Sequence, residues 1–210
     1  KYSEKKIYYN SELHNKKLFS NSKKILIIGG SSGLGKVLTE FYAKKKLDVT
    51  FTFNKNHQIA KRIYQKNNNL KYLKFNKEIL KKKKIKDKIK NFNYIYFFPT
   101  PKIFQVSEDF FNYYNLKEFI DVYSLFLRDI INCLSRNIKY KIYVPSSEII
   151  NTKSTKFFDY RMGKIIQENL CQFVNLKSKN IKIFNPRLGI HYTKETFHIM
   201  NNNSNYNYFL

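Results

Sequence analysis

Short apolar runs alternate with longer amphipathic stretches along most of the chain. Ile25 to Ile28 reads ILII, four apolar residues in a row and rich in β-branching, which predicts a buried parallel strand. Asp48 to Phe53, Leu70 to Phe75, Tyr94 to Phe98, Lys141 to Val144 and Asn180 to Phe184 predict five more strands. Between them lie stretches at helical spacing. VLTEFYAKK ends near Lys46, and His57 to Lys66, the lysine-rich Lys77 to Lys90 and the long region Phe110 to Asn137 follow. A last helix begins at Tyr160 and carries Ile165, Ile166, Leu170 and Phe173 on one face. Strands alternating with helices predict one α/β domain, a doubly wound parallel sheet with helices on both faces. It is assigned to residues 23–210, after a polar N-terminal extension over residues 1–22 that has no steady period.

The first strand stops at Gly29-Gly30-Ser31-Ser32-Gly33-Leu34-Gly35 and passes straight into a helix. Strand, glycine turn and helix open a dinucleotide-binding unit of Rossmann type. Glycines let the backbone turn sharply and approach a pyrophosphate, and the helix N-terminus offers N–H donors and a positive dipole end. Gly29, Ser31, Ser32, Gly33, Leu34 and Gly35 are therefore candidate cofactor-binding residues. The second strand ends where an adenosine ribose would lie, and the chain offers Asn54 and Lys55 there rather than a carboxylate. A lysine without an acid suits a 2′-phosphate better than a free diol, so NADP is expected, with NAD left open.

Composition changes this picture little. A net charge of +25 ordinarily suggests a nucleic-acid or anionic partner. Here nearly all the positive charge is lysine, in a chain crowded with Asn, Ile, Phe and Tyr, all residues with AT-rich codons. Base bias accounts for the charge without a partner, and the block Lys81 to Lys84 reads as a solvated helix face. No nucleic acid is expected. No apolar run approaches the roughly 18 residues that a membrane span needs, and no signal-type segment precedes the first strand. Cys133 and Cys171 have no CxxC or histidine company and read as reduced core thiols, so a cytoplasmic location is expected. His191 and His198 likewise lack metal-ligand neighbours, and no metal is expected.

The fifth strand runs into Pro145-Ser146-Ser147, and thirteen positions beyond Ser147 stands Tyr160, opening Tyr160-Arg161-Met162-Gly163-Lys164. Tyrosine and lysine at i and i+4 share one helix face, which brings an ammonium close to a phenol. A nearby positive charge is expected to lower the tyrosine pKa toward working pH. Tyr-x-x-x-Lys arises easily by chance in a chain with 17 tyrosines. The order of glycine turn, strands, Ser-Ser, Tyr-x-x-x-Lys and a further strand does not.

That order resembles the short-chain dehydrogenase/reductase family, whose chains open on Gly-x-x-x-Gly-x-Gly and carry serine and Tyr-x-x-x-Lys at this separation. The resemblance covers Lys24 to about Thr193. It implies an NAD(P)-dependent oxidoreductase that reduces a carbonyl or oxidises an alcohol. Ser147, Tyr160 and Lys164 would be catalytic: Tyr160 exchanges the proton, Lys164 tunes it and reaches the nicotinamide ribose, and Ser147 donates to the substrate oxygen. By the same resemblance Asn76 stands where the family places an aspartate near the adenine. Thr100 offers a hydroxyl to the cofactor, and Pro186, with Thr193 beyond it, belongs to the element beside the nicotinamide. Three positions depart from the pattern. Phe97-Phe98-Pro99-Thr100-Pro101 replaces Asn-Asn-Ala-Gly, Tyr123 stands where an active-site asparagine would be, and Arg187-Leu188 separate Pro186 from Gly189. The C-terminal region is also short for the family.

Two functions from different classes therefore remain: the oxidoreductase, acting on a small-molecule carbonyl or alcohol, and a dinucleotide-binding module without turnover. The resemblance also implies a homo-oligomer as one option, and the substrate is not legible.

Overall fold

The computed structural model describes residues 24–101, 103, 112–152 and 157–189. Six parallel strands form one sheet: β1 (Ile25–Ile28), β2 (Val49–Phe53), β3 (Leu70–Lys74), β4 (Tyr94–Phe97), β5 (Tyr140–Tyr143) and β7 (Ile181–Phe184). Their order is β3-β2-β1-β4-β5-β7, so the winding reverses between β1 and β4. At such a switch point the strand ends leave a crevice.

β1 is apolar throughout because both of its faces are covered. Leu26 and Ile28 join Ile95, Phe97, Ile142 and Ile183 against Leu127, Ile130, Cys171 and Val174. Ile25 and Ile27 face the other way, with Val49 and Phe51, against Ala43, Ala60 and Ile63. Each fully buried side chain of this size contributes roughly 1.5–3 kcal/mol. The first cluster is roofed by α6 (Leu127–Asn132) and α7 (Phe158–Lys177), the second by α1 (Gly33–Lys44) and α2 (His57–Gln65). Helices thus lie on both faces, as expected.

Three features differ from the sequence expectation. The helix expected over Lys77 to Lys90 is two, α3 (Lys77–Leu80) and α4 (Lys83–Ile89), because Lys82 leaves the helical region at φ −71°, ψ 126°. The long helical region holds α5 (Tyr113–Ile120), then a π-helical turn, Asp121–Phe126, before α6. Beyond β5 a second, two-stranded parallel ladder pairs β6 (Ser146–Ser147) with β8 (Arg187–Leu188). Between β6 and α7 lies a 3₁₀ turn, Glu148–Asn151.

Both cysteines are free: Cys171 is buried, and Cys133 donates its thiol to the Asp129 carbonyl at 3.0 Å. Among the described residues no helix is long and apolar enough to cross a membrane, and no group of three His, Cys, Asp or Glu is arranged to hold a metal.

Candidate active site

Because the strands are parallel, the candidate residues after β1, β2, β3, β4, β6 and β7 gather at one edge of the fold. Gly29 takes φ +78° and Gly33 φ +47°, backbone that favours glycine. A Cβ on Gly35 would collide with the carbonyl oxygen of Gly29, so the α1 backbone comes in directly against the turn. A Cβ on Gly29 would meet the Phe98 carbonyl carbon at 3.0 Å, which puts the turn against the end of β4.

Two threonines outside the glycine pattern hold the loop. Thr52 accepts from the Gly29 N–H at 3.0 Å, and buried Thr39 donates to the Gly30 and Gly35 carbonyls at 3.1 and 2.8 Å. Ser31 is buried, and exposed Ser32 is the residue before α1 but makes no side-chain cap. The N–H groups of Gly33, Leu34 and Gly35 open the helix without intrahelical acceptors.

At the end of β2, Asn54 and Lys55 are exposed. Asn76 donates to the Asn54 side-chain oxygen at 3.2 Å, and its own oxygen caps α3 by accepting from the Ile79 N–H at 2.9 Å. Thr100 is exposed just after β4. Pro186 accepts from the Ser146 N–H at 2.8 Å and so helps bring the β7 end beside Ser147. Thr193, His191 and His198 lie outside the described residues.

Ser147, Tyr160 and Lys164 converge from β6 and α7. Gly163 explains how α7 comes in: a Cβ there would meet the Phe119 Cβ at 2.7 Å, so the glycine permits close contact with α5. Half-buried Tyr160 sits edge-on to the rings of Phe119 and Tyr123, centroids 5.6 and 6.0 Å away. Burial pushes its phenol above the ordinary tyrosine value, and the neighbouring Ser147 side chain pulls only part of that back. The Ser147 oxygen also accepts from the Ile149 N–H at 3.3 Å.

Lys164 behaves differently from the sequence expectation. It is 5 % exposed, and its amine donates to the Pro145 carbonyl and to the Gln167 side-chain oxygen, both at 2.9 Å. It lies 3.9 Å from the Tyr123 ring centroid but 6.0 Å from that of Tyr160. Burial lowers its pKa from 10.5 to about 7, against smaller raising effects from Cys171 and Glu168. The expected lowering of the Tyr160 pKa is therefore corrected: desolvation of the phenol dominates, only Ser147 offsets it, and the Lys164 amine is turned to other partners.

Tyr123, in the position of the expected asparagine, is buried in the π-helical turn. Among the described residues its hydroxyl makes no well-formed hydrogen bond, although the Thr100 side chain is near enough to pull against the burial that raises the Tyr123 pKa. Gln167 was not singled out in the sequence, although its place three residues beyond Lys164 puts it on the same helix face. Arg187, which interrupts the Pro-Gly pattern, grips Glu168 through two hydrogen bonds of 2.9 and 2.7 Å and donates to Asn151 at 2.5 Å. It ties β8, beside Ser147, to α7.

The sheet order, the glycine turn against β4 and the meeting of Ser147 with Tyr160 together decide the architecture. This is the short-chain dehydrogenase/reductase fold. A short-chain dehydrogenase/reductase family protein superposes with a TM-score of 0.72 at 13% identity, covering 85% of this chain and 79% of its own. An alternative dihydrofolate reductase from Brucella suis, solved with NADP, gives a TM-score of 0.67 at 13% identity, covering 81% and 74%. A short-chain dehydrogenase from Sphingobium yanoikuyae, solved with NADPH, gives 0.65 at 14% identity, covering 84% and 74%. No protein-family model matches the sequence, and no curated protein matches it significantly. The short-chain fold is thus carried by a chain whose sequence has moved far from these structures.

Proposed function

We propose that this chain is an NADP-preferring oxidoreductase of the short-chain type, acting on a small-molecule carbonyl or alcohol with Tyr160 as the proton-exchanging residue. The observation that carries the reading is the meeting of the Ser147 and Tyr160 side chains at the strand-end edge that also holds the Gly29–Gly35 turn.

A dinucleotide fits this edge. The Gly29–Gly35 turn has no room for a Cβ at its two outer glycines, and the Ser32 side chain does not cap the N-terminus of α1. Gly29, Ser31, Ser32, Gly33, Leu34 and Gly35 would hold the pyrophosphate by backbone N–H groups and hydroxyls. Asn54 and Lys55 would meet the adenosine ribose, Asn76 the adenine, and Thr100 and Pro186 the nicotinamide end. The exposed lysine and the NADP or NADPH in two of the similar structures support NADP over NAD. When bound, the nicotinamide supplies or accepts the hydride.

The chain's own residues handle the proton. Tyr160 gives its phenolic proton to a carbonyl oxygen as negative charge grows there, and Ser147 donates to the same oxygen. The raised Tyr160 pKa keeps that proton in place at neutral pH, which favours reduction over alcohol oxidation.

A cofactor-binding module without turnover is the second reading. It is favoured by the packing of Tyr160 against Phe119 and Tyr123 and by the commitment of the Lys164 amine to protein acceptors. Titration calorimetry with NADPH, NADP, NADH and NAD tests what both readings share. Binding is expected with the phosphorylated pair tighter, and a protein that binds none of the four is neither enzyme nor module.

A further inference from the structure

We propose that Tyr123 and Gln167 are positioning residues that hold the Lys164 amine inside the fold, which leaves the grip on a cofactor to the glycine turn. This deepens the oxidoreductase reading and rests on it for its catalytic meaning; the holding itself stands on geometry alone.

An ammonium has three N–H donors. One goes to the Pro145 carbonyl and one to the Gln167 oxygen, both at 2.9 Å. The Tyr123 ring face, 3.9 Å from the amine, takes the third side. Gln167 cannot turn away cheaply, because its amide N–H₂ donates to the Tyr123 backbone carbonyl at 3.2 Å. Gln167 and Tyr123 are each 1% exposed. Withdrawing the amine would leave the Pro145 and Gln167 oxygens unpaired in the interior, which is costly. All of the amine's bonding is thereby spent within the protein, and none is left for a ribose hydroxyl.

The groups around the amine explain why it is held by neutral partners. On α7 the titratable neighbours are Tyr160, Cys171 and Glu168, and Glu168 is turned to Arg187. From the π-helical turn comes Tyr123, whereas Asp121 is engaged by Lys117 and Lys77 at the surface. The loop after β5 contributes the Pro145 carbonyl, and α5 contributes Phe119, packed on Tyr123. Among the described residues no carboxylate bonds the amine, so its charge is sustained by two carbonyl-type oxygens and one ring. That balance is why burial wins and the pKa falls to about 7.

The full chain, labelled with ¹³C at lysine Cε and titrated by NMR, reads this directly. One lysine signal is expected to titrate near neutrality and to be missing in Lys164→Met; if every lysine titrates in the ordinary range above about 10, the proposal fails. Gln167→Glu is expected to raise that midpoint by about 1–3 pH units. Tyr123→Leu is expected to lower it by about one pH unit through the lost ring face. Tyr123→Phe keeps the ring and loses only a hydroxyl that does not bond the amine, so it should leave the midpoint in place. Midpoints unmoved by both Gln167→Glu and Tyr123→Leu would overturn the proposal. In a second arm, Lys164→Met is expected to change NADPH affinity by less than about threefold, and a larger loss would show that the amine does hold the cofactor. If wild-type protein binds no NADPH, the oxidoreductase reading falls, and the NMR titration alone decides whether Tyr123 and Gln167 hold the lysine.

Discussion

The Lys164 amine donates to the Pro145 carbonyl across 2.9 Å, which ties α7, the helix of Tyr160, to the strand end that delivers Ser147. The bond is made by a group whose pKa falls from 10.5 to about 7 on burial. Between those values the unfolded chain binds more protons than the folded one, so raising the pH stabilises the fold. Below pH 7 the penalty for burying the charge is present in full. Urea denaturation between about pH 7.5 and 9 is expected to show wild type gaining on Lys164→Met by up to roughly 1.4 kcal/mol per pH unit. Above that window Cys171, raised from 9.0 to about 12 by burial, acts in the opposite direction. Parallel curves for the two proteins would mean that Lys164 is not buried in solution.

Gly35 gives a sharper stability prediction. Its Cβ would strike the Gly29 carbonyl, a backbone atom that cannot swing aside like a flexible side chain. Gly35→Ala is therefore expected to cost about 1–3 kcal/mol, the usual range for overpacking, in thermal or denaturant unfolding. NADPH affinity should fall with it, because the α1 N-terminus must move to relieve the clash. A neutral Gly35→Ala would mean that the turn and α1 do not meet as described.

Much of this was legible in the sequence, for physical reasons that can be named. β1 read correctly because burial on both faces demands an unbroken apolar run, and ILII provides one. The glycine turn read correctly because only glycine tolerates the Gly29 backbone and the close approach at Gly35. The break between α3 and α4 was hidden because lysine is a good helix former and its pattern carries no stop signal at Lys82. The β6–β8 ladder was hidden because two-residue pairing is made by tertiary contact. Spacing placed Lys164 and Tyr160 on one face of α7, but it said nothing of which way the amine would turn. Tyr123 and Gln167 decide that, from the π-helical turn and from the next turn of the same helix.

On the proposed reading, cofactor choice turns on Lys55, which is exposed at the end of β2 and flanked in sequence by Asn54 and Asn56. Lys55→Glu is expected to weaken NADPH by about tenfold or more, the scale of a lost charge-assisted hydrogen bond, and to leave NADH equal or tighter. Calorimetry with both reduced dinucleotides checks this. Equal loss for both would show that Lys55 does not sense the 2′-phosphate.

On the proposed mechanism, the phenol gives the reaction a direction. Burial holds the Tyr160 pKa above its ordinary 10.0, so near pH 7 the phenol keeps its proton and almost none of it is phenolate. Carbonyl reduction should therefore be nearly independent of pH around neutrality. Alcohol oxidation, which needs the phenolate as base, should rise about tenfold per pH unit toward and beyond pH 9. A flat oxidation profile from pH 7 to 9 would place the proton on another group.

The most direct test of the account is turnover of wild type against Tyr160→Phe, followed as NADPH consumption over a panel of aldehydes and ketones. Wild type is expected to reduce at least one carbonyl. Tyr160→Phe should lower kcat by about 10²–10⁴-fold, as for a lost general acid, with NADPH affinity changed by less than about threefold. Undiminished turnover in Tyr160→Phe, or a wild-type protein that binds NADPH and reduces no carbonyl, would contradict the account.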